Sequence, residues 1–145
     1  MGEIFMVNGA KKPHVVIIGA GFGGIKAAKS LAGKDVNVTI IDRNNYHLFQ
    51  PLLYQVSTAV LSEEEIAYPV RAFFRKNKNV NFFLGEVTDF DLESKKVITD
   101  QGEVSYDYLI VAAGATTNYF GMESVEKNSF AMKTLGESVK IRDHI

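Results

Sequence analysis

The sequence contains no cysteine and no tryptophan. Without thiols these residues can form no disulfide, no thiolate metal site and no redox-active cysteine pair. Histidine is scarce as well: His14, His47 and His144 are the only three, and their scatter along the chain argues against a metal site. An excess of one charge is also missing. Lys and Arg number 16 against 17 Asp and Glu, a formal net charge of -1, which supplies no broad cationic field for nucleic acid or anionic lipid. No apolar run reaches the roughly 20 residues of a membrane span, and residues 1–12 lack the layout of a signal peptide, so a soluble, intracellular chain is expected. What remains is an ordinary globular composition, 46% hydrophobic over 145 residues, long enough for one domain with its own core.

Val15, Val16, Ile17 and Ile18 form an unbroken β-branched run closed by Gly19, the spelling of a strand buried on both faces in a parallel sheet. Ile25, Ala28, Leu31 and Ala32 then recur at helical spacing, Gly33 stands where a C-cap glycine belongs, and Lys29 and Lys34 suit the negative end of the helix dipole. Residues 36–41 spell a second apolar strand ending at Asp42, so the chain opens as a βαβ unit. Residues 44–60 are rich in large apolar side chains, carry Pro51 and hold no sustained period; a long ordered loop with one helical turn is expected there. Ser62-Glu63-Glu64-Glu65 spells a capping box, and Ile66, Val70, Phe73 and Phe74 follow at helical spacing with Pro69 among them, which predicts a short, interrupted helix. A third strand is expected at 80–84. Strand-like stretches at 86–90, 96–99 and 104–107, separated by turn residues, predict an antiparallel three-stranded meander. Residues 108–112 return to the buried-strand spelling, and 134–145 read as a helix that stops without a cap. The expected fold class is α/β, a Rossmann-type parallel sheet with a three-stranded antiparallel meander inserted, in a single domain over residues 1–145.

Gly19-Ala20-Gly21-Phe22-Gly23-Gly24 satisfies the pattern G-x-G-x-x-G. Its position between a buried strand and a helix gives that pattern its meaning: Gly19 makes the tight turn, Gly21 lets the backbone approach a pyrophosphate, and Gly24 lets helix and strand pack closely. Phe22 and Gly23 complete a loop whose N–H groups, with the helix dipole, face the anion. Asp42 follows roughly 20 residues later, where the dinucleotide pattern places a carboxylate that accepts hydrogen bonds from a ribose diol. A 2′-phosphate there would meet like charge, which disfavours NADP, while Arg43 is expected against the adenine or in solvent. The plainer alternatives are a glycine turn needed only for packing and a solvated acid at a strand end.

The motif and its carboxylate fit NAD and FAD equally, because both carry adenosine diphosphate with a free 2′-hydroxyl. The later chain separates them. A nicotinamide domain would continue in regular βαβ alternation, whereas here a long aromatic loop and then an antiparallel meander intervene, as in the flavin half of two-dinucleotide enzymes. On the glycine cradle, residues 42–71 (DRNNYHLFQPLLYQVSTAVLSEEEIAYPVR), Gly85-Glu86-Val87 and residues 106–121 (YDYLIVAAGATTNYFG), the chain resembles the N-terminal part of a type II NADH dehydrogenase, the single-subunit NADH:quinone oxidoreductase that carries FAD. The resemblance runs over nearly the whole chain from His14. It implies that main-chain groups of Val87 face the adenine and that the turn at Ala113 and Gly114 approaches the cofactor's phosphate or ribityl region. It also implies that the loop over 50–54 lies toward the isoalloxazine ring, with Gln50 and Leu53 as contacts; plain core packing is the competing reading for that loop. The family usually spells the later turn Ala-Thr-Gly, so Ala113 gives up a hydroxyl contact. Disulfide reductases of similar architecture place redox cysteines soon after the second strand, where this chain has none, which excludes them; sulfide:quinone oxidoreductases also depend on cysteines, some in later parts of their sequence, and are only disfavoured.

By the same resemblance, NADH gives a hydride to flavin and two electrons pass on to a membrane quinone, in a parent protein held peripherally on the cytoplasmic face of a membrane. The cofactor carries that chemistry, so no catalytic side chain is assigned, and no metal ligand. A second Rossmann unit for NADH, an acidic residue for the ribityl-phosphate region and an amphipathic membrane attachment would have to come from elsewhere in the parent. The chain alone is therefore expected to bind FAD weakly, to show little or no dehydrogenase activity, and to self-associate through Leu135, Val139 and Ile145 of its final helix. A stand-alone NAD-binding module without catalysis and an unliganded interaction domain are the two other classes the residues leave open.

Overall fold

The computed structural model describes residues 12–145, so the expectation about a signal peptide rests on residues outside it. In chain order the elements are β1 (His14–Ile18), α1 (Phe22–Leu31), β2 (Asn37–Asp42), β3 (Tyr46–Leu48), α2 (Leu53–Ser57), β4 (Ala67–Pro69), α3 (Val70–Phe74), β5 (Val80–Leu84), β6 (Val87–Asp91), β7 (Lys96–Thr99), β8 (Gly102–Ser105), β9 (Tyr108–Val111), α4 (Glu123–Lys127) and α5 (Leu135–His144), with 3-10 turns at Gln50–Leu52 and Glu63–Glu65. The chain divides into two compact units. The first runs up to His47 and resumes over Pro69–Ala113; the second is Leu48–Tyr68 with Gly114–Ile145.

The first unit is built on a parallel sheet in the order β5-β2-β1-β9. Ile17 of the central strand faces Ile40 of β2 on one side and Ile110 of β9 on the other. The unbroken apolar run in β1 follows from covering both faces. Val15 and Ile17 point to one side, where Ile25 and Ala28 of α1 and Val70 and Phe74 of α3 pack on them. Val16 and Ile18 point to the other, where Val97, Val87 and Val104 of the meander close over them with Ile41. Each side chain so buried contributes about 1.5–3 kcal/mol over its exposed state. The meander is antiparallel in the order β6-β7-β8, with a register shift between Val87 and Asp89. It matches the expected three strands, although the last runs over Gly102–Ser105 rather than 104–107 because the turn is tighter.

Asn79 stitches the turn between α1 and β2, a contact no sequence pattern announces. Its side-chain amide donates to the carbonyls of Leu31 and Val36, 3.0 Å each, and its oxygen accepts from Gly33 N–H at 2.9 Å. These bonds satisfy backbone groups that the end of a helix leaves without intrahelical partners.

The second unit has its own core, in which Leu53, Val56 and Ile66 pack with Leu48, Leu135 and Val139. Residues 44–60 are more ordered than the expected loop: the chain makes β3, a 3-10 turn opened by Pro51 and then α2. The expected interrupted helix after Ser62 is instead a 3-10 turn, a short strand and a separate helix. The capping box is present at Ser62 and Glu65, but Pro69 forces its predecessor toward extended backbone and so ends the helical run. The short helix α4 carries no apolar period and was not expected from the sequence. In α5, Thr134 and Glu137 form a capping box at the N-terminus, and Leu135 and Val139 lie against the core. Both side chains stay partly buried there, and Ile145, the third side chain named for self-association, is 89% exposed.

Candidate functional site

The loop between β1 and α1 is shaped by two glycines that admit no side chain. Gly19 adopts φ +98°, and a Cβ there would overlap the carbonyl oxygen of Ala112 at the end of β9. A Cβ on Gly24 would overlap the Gly19 carbonyl oxygen and meet Ile17 Cγ2 at 3.4 Å, so the helix starts against the strand it has just left. The loop is further pinned by Gly19 N–H donating to Ile41 O and Ala112 N–H donating to Ile18 O, both at 2.8 Å. These contacts assign Gly19 to the turn and Gly24 to close packing, the roles the spacing predicts.

Gly21 differs from both. Nothing lies within 4 Å of a Cβ built on it, and no described group accepts from its N–H. It is the N-cap of α1, with no side-chain cap on the helix start. The first turn therefore presents backbone N–H groups and the positive end of the dipole without an acidic residue to neutralise them. Gly23 is similarly uncrowded, its nearest neighbour being Ala112 Cβ at 3.6 Å. Phe22 is half exposed, and its ring meets that of His47 edge-on at 5.0 Å between centroids.

Asp42 stands at the mouth of this loop. Its Oδ2 accepts from Ala20 N–H at 2.6 Å and its Oδ1 from Asn44 N–H at 2.8 Å. A carboxylate offers about four acceptor positions, so two remain for a ligand hydroxyl. Arg43 is exposed and reaches Glu86 with an Nη1 to Oε1 separation of 3.4 Å, a surface pair of little energetic weight. Val87 opens β6 just beyond, after Gly85 N–H has donated to Asp42 O at 3.0 Å. Ala113 directly follows the Ala112 that touches Gly19.

Within the first unit the structure thus brings together the glycine loop, Asp42 and the end of β9. Gln50, Leu53 and Gly114 belong to the second unit. There Gln50 is exposed and donates through Nε2 to Lys133 O at 3.3 Å. Leu53 is 2% exposed and spent on the core of that unit, and Gly114 adopts φ +76°. The residue missed in the sequence is His47. It is 8% exposed, its Nδ1 lies 2.8 Å from Ala20 O, and its ring is contacted edge-on by Phe22 and by Phe73. A lone histidine among apolar residues carries no pattern that would have pointed to the loop. Among the described residues no His, Cys, Asp or Glu cluster could hold a metal, and no helix is long and apolar enough to cross a membrane.

The family model described as pyridine nucleotide-disulphide oxidoreductase matches residues 13–145. The type II NADH:quinone oxidoreductase Ndh of Mycobacterium tuberculosis is 45% identical over 139 residues, which are 93% of this chain and 30% of that protein. The structure of NDH2 from Plasmodium falciparum in complex with NADH superposes with a TM-score of 0.82 at 32% identity, covering 91% of this chain and 28% of that one. The sulfide:quinone oxidoreductase of Aquifex aeolicus gives a TM-score of 0.81 at 29% identity, covering 91% and 31%. The chain therefore spans about a third of the length of the relatives it matches.

Proposed function

The chain belongs to the pyridine nucleotide-disulphide oxidoreductase family, and from that premise we propose that it forms the FAD-binding part of an enzyme that takes electrons from NADH to a quinone. One observation carries the reading: the backbone at Gly21 is open and undonated, while Asp42, already bonded to the same loop through Ala20, keeps acceptor positions to spare. A diphosphate fits the first and a ribose diol the second. Gly21, Phe22, Gly23 and Gly24 would offer main-chain N–H groups to the diphosphate. Asp42 would hold the adenosine ribose, the main chain of Val87 would border the adenine, and Ala113 would border the phosphates through its small size. FAD, when bound, supplies hydride and electron transfer, and the residues here contribute binding and orientation. NADH and the quinone would be engaged by the remainder of the longer parent.

Titrating the purified chain with FAD and with NAD, by flavin fluorescence and calorimetry, tests the assignment. FAD is expected to bind and to be preferred. The same cradle would accept the adenosine diphosphate half of NAD, so tight NAD binding with no uptake of flavin would favour a stand-alone NAD module instead. Failure to bind either would leave an interaction domain.

A further inference from the structure

We infer that His47 is a positioning residue for the dinucleotide loop: its imidazole fixes the peptide between Ala20 and Gly21 so that the Gly21 N–H faces the diphosphate. This rests on the reading that a dinucleotide occupies the glycine loop. A carbonyl oxygen only accepts, so the 2.8 Å contact between His47 Nδ1 and Ala20 O requires the hydrogen to sit on Nδ1. The Ala20–Gly21 peptide is trans and planar, which makes its C=O and N–H point in opposite directions. Drawing the carbonyl inward onto a buried imidazole therefore turns the N–H the opposite way, where no described group accepts from it, on a residue whose Cβ position is also open. The preceding peptide is fixed in the same way from the other side, because Ala20 N–H donates to Asp42 Oδ2. Ala20, itself 1% exposed, is thus anchored at both of its polar backbone atoms by side chains that arrive from β2 and β3.

The imidazole is in turn held so that it cannot swing away. Phe22 and Phe73 meet its ring edge-on, at 5.0 and 5.7 Å between centroids, and Lys29 Nζ lies over the far ring, 4.6 Å from the centroid of Phe73. A glycine on the anion side and a bonded alanine beneath it divide the work, since the glycine backbone is free to turn and something else must set its direction. Preorganisation of this kind raises affinity because binding no longer has to order the loop.

The test compares two variants with the native chain. His47→Phe keeps a ring between Phe22 and Phe73 but removes the donor; His47→Asn places an amide N–H near the position of Nδ1. FAD affinity is read by flavin fluorescence, with thermal melting to establish that each protein is folded. His47→Phe is expected to bind FAD about tenfold or more weakly, the effect of one buried acceptor left unpaired, and His47→Asn within about threefold of native. Native affinity in folded His47→Phe would overturn the inference, and so would a loss in folded His47→Asn as large as in His47→Phe. If His47→Phe does not fold, the Asn variant decides alone: threefold or less supports the inference, tenfold or more overturns it. A native chain that takes up no FAD sinks the FAD reading itself, an outcome distinct from equal binding by native and variant proteins.

Discussion

Asp42 accepts the amide hydrogen of Ala20 across 2.6 Å, so the acid that ends β2 is part of the glycine loop before any ligand arrives. Asp42→Ala removes the acceptor from a backbone N–H of a buried residue and is expected to lower stability by about 1–3 kcal/mol. It should also weaken FAD binding tenfold or more. Urea unfolding and a flavin titration measure the two effects. Unchanged affinity in a folded Asp42→Ala chain would count against the ribose assignment.

The two outer glycines and the middle one should respond differently to alanine. Gly24→Ala drives a methyl into the Gly19 carbonyl, and backbone cannot yield there without moving β1 or α1, so a loss of about 3 kcal/mol or more is expected. Gly21 has φ -71° and ψ -170°, which alanine adopts freely, and its Cβ meets nothing. Gly21→Ala should therefore melt like the native chain yet lose FAD, because the added methyl stands where the diphosphate must approach. Circular dichroism with a binding assay separates a folding glycine from a ligand glycine.

Leu53→Ala and Val139→Ala should both destabilise the second unit, by about 2–5 kcal/mol for the leucine and less for the valine. Neither should alter the oligomeric state, since both side chains lie in or against a core rather than on an apolar face open to a second copy. Sizing chromatography of the native chain and of Ile145→Ser isolates the contribution of the one apolar residue the final helix leaves exposed.

Stability should fall as pH drops below about 6.5. Burial holds the His14 imidazole below its ordinary value of 6.5, against the upward pull of the Ser105 backbone and the Asp107 charge. Above that value both folded and unfolded chains carry the neutral ring. Below it the unfolded chain takes up the proton first, so stability declines until the folded-state value is passed. His14→Gln should flatten that part of the profile and leave the acid limb intact. The acid limb belongs to groups such as Asp100, held below the ordinary carboxylate range by hydrogen bonds from the Gln101 side chain and Glu86, and its contribution is lost only as pH falls below about 3.8. Denaturation midpoints between pH 7.5 and 5.5 check the His14 window.

The parallel strands, the first helix, the meander and the glycine–carboxylate pair were legible in the sequence because each is encoded locally. An apolar run in β1, a 3.6-residue period in α1 and fixed glycine spacing all survive without knowledge of the fold. What only the tertiary structure decided depends on residues far apart in the chain. That Leu135 and Val139 pack against residues 48–66, and that Leu53 lies buried among them, is visible only once those distant stretches are folded together. His47 and Asn79 carry no pattern at all; each matters because folding delivers its polar atoms to backbone groups 27 and up to 48 positions away. Local propensity can be read from neighbours in sequence, whereas the partner of a buried polar atom is fixed only when the chain has closed around it.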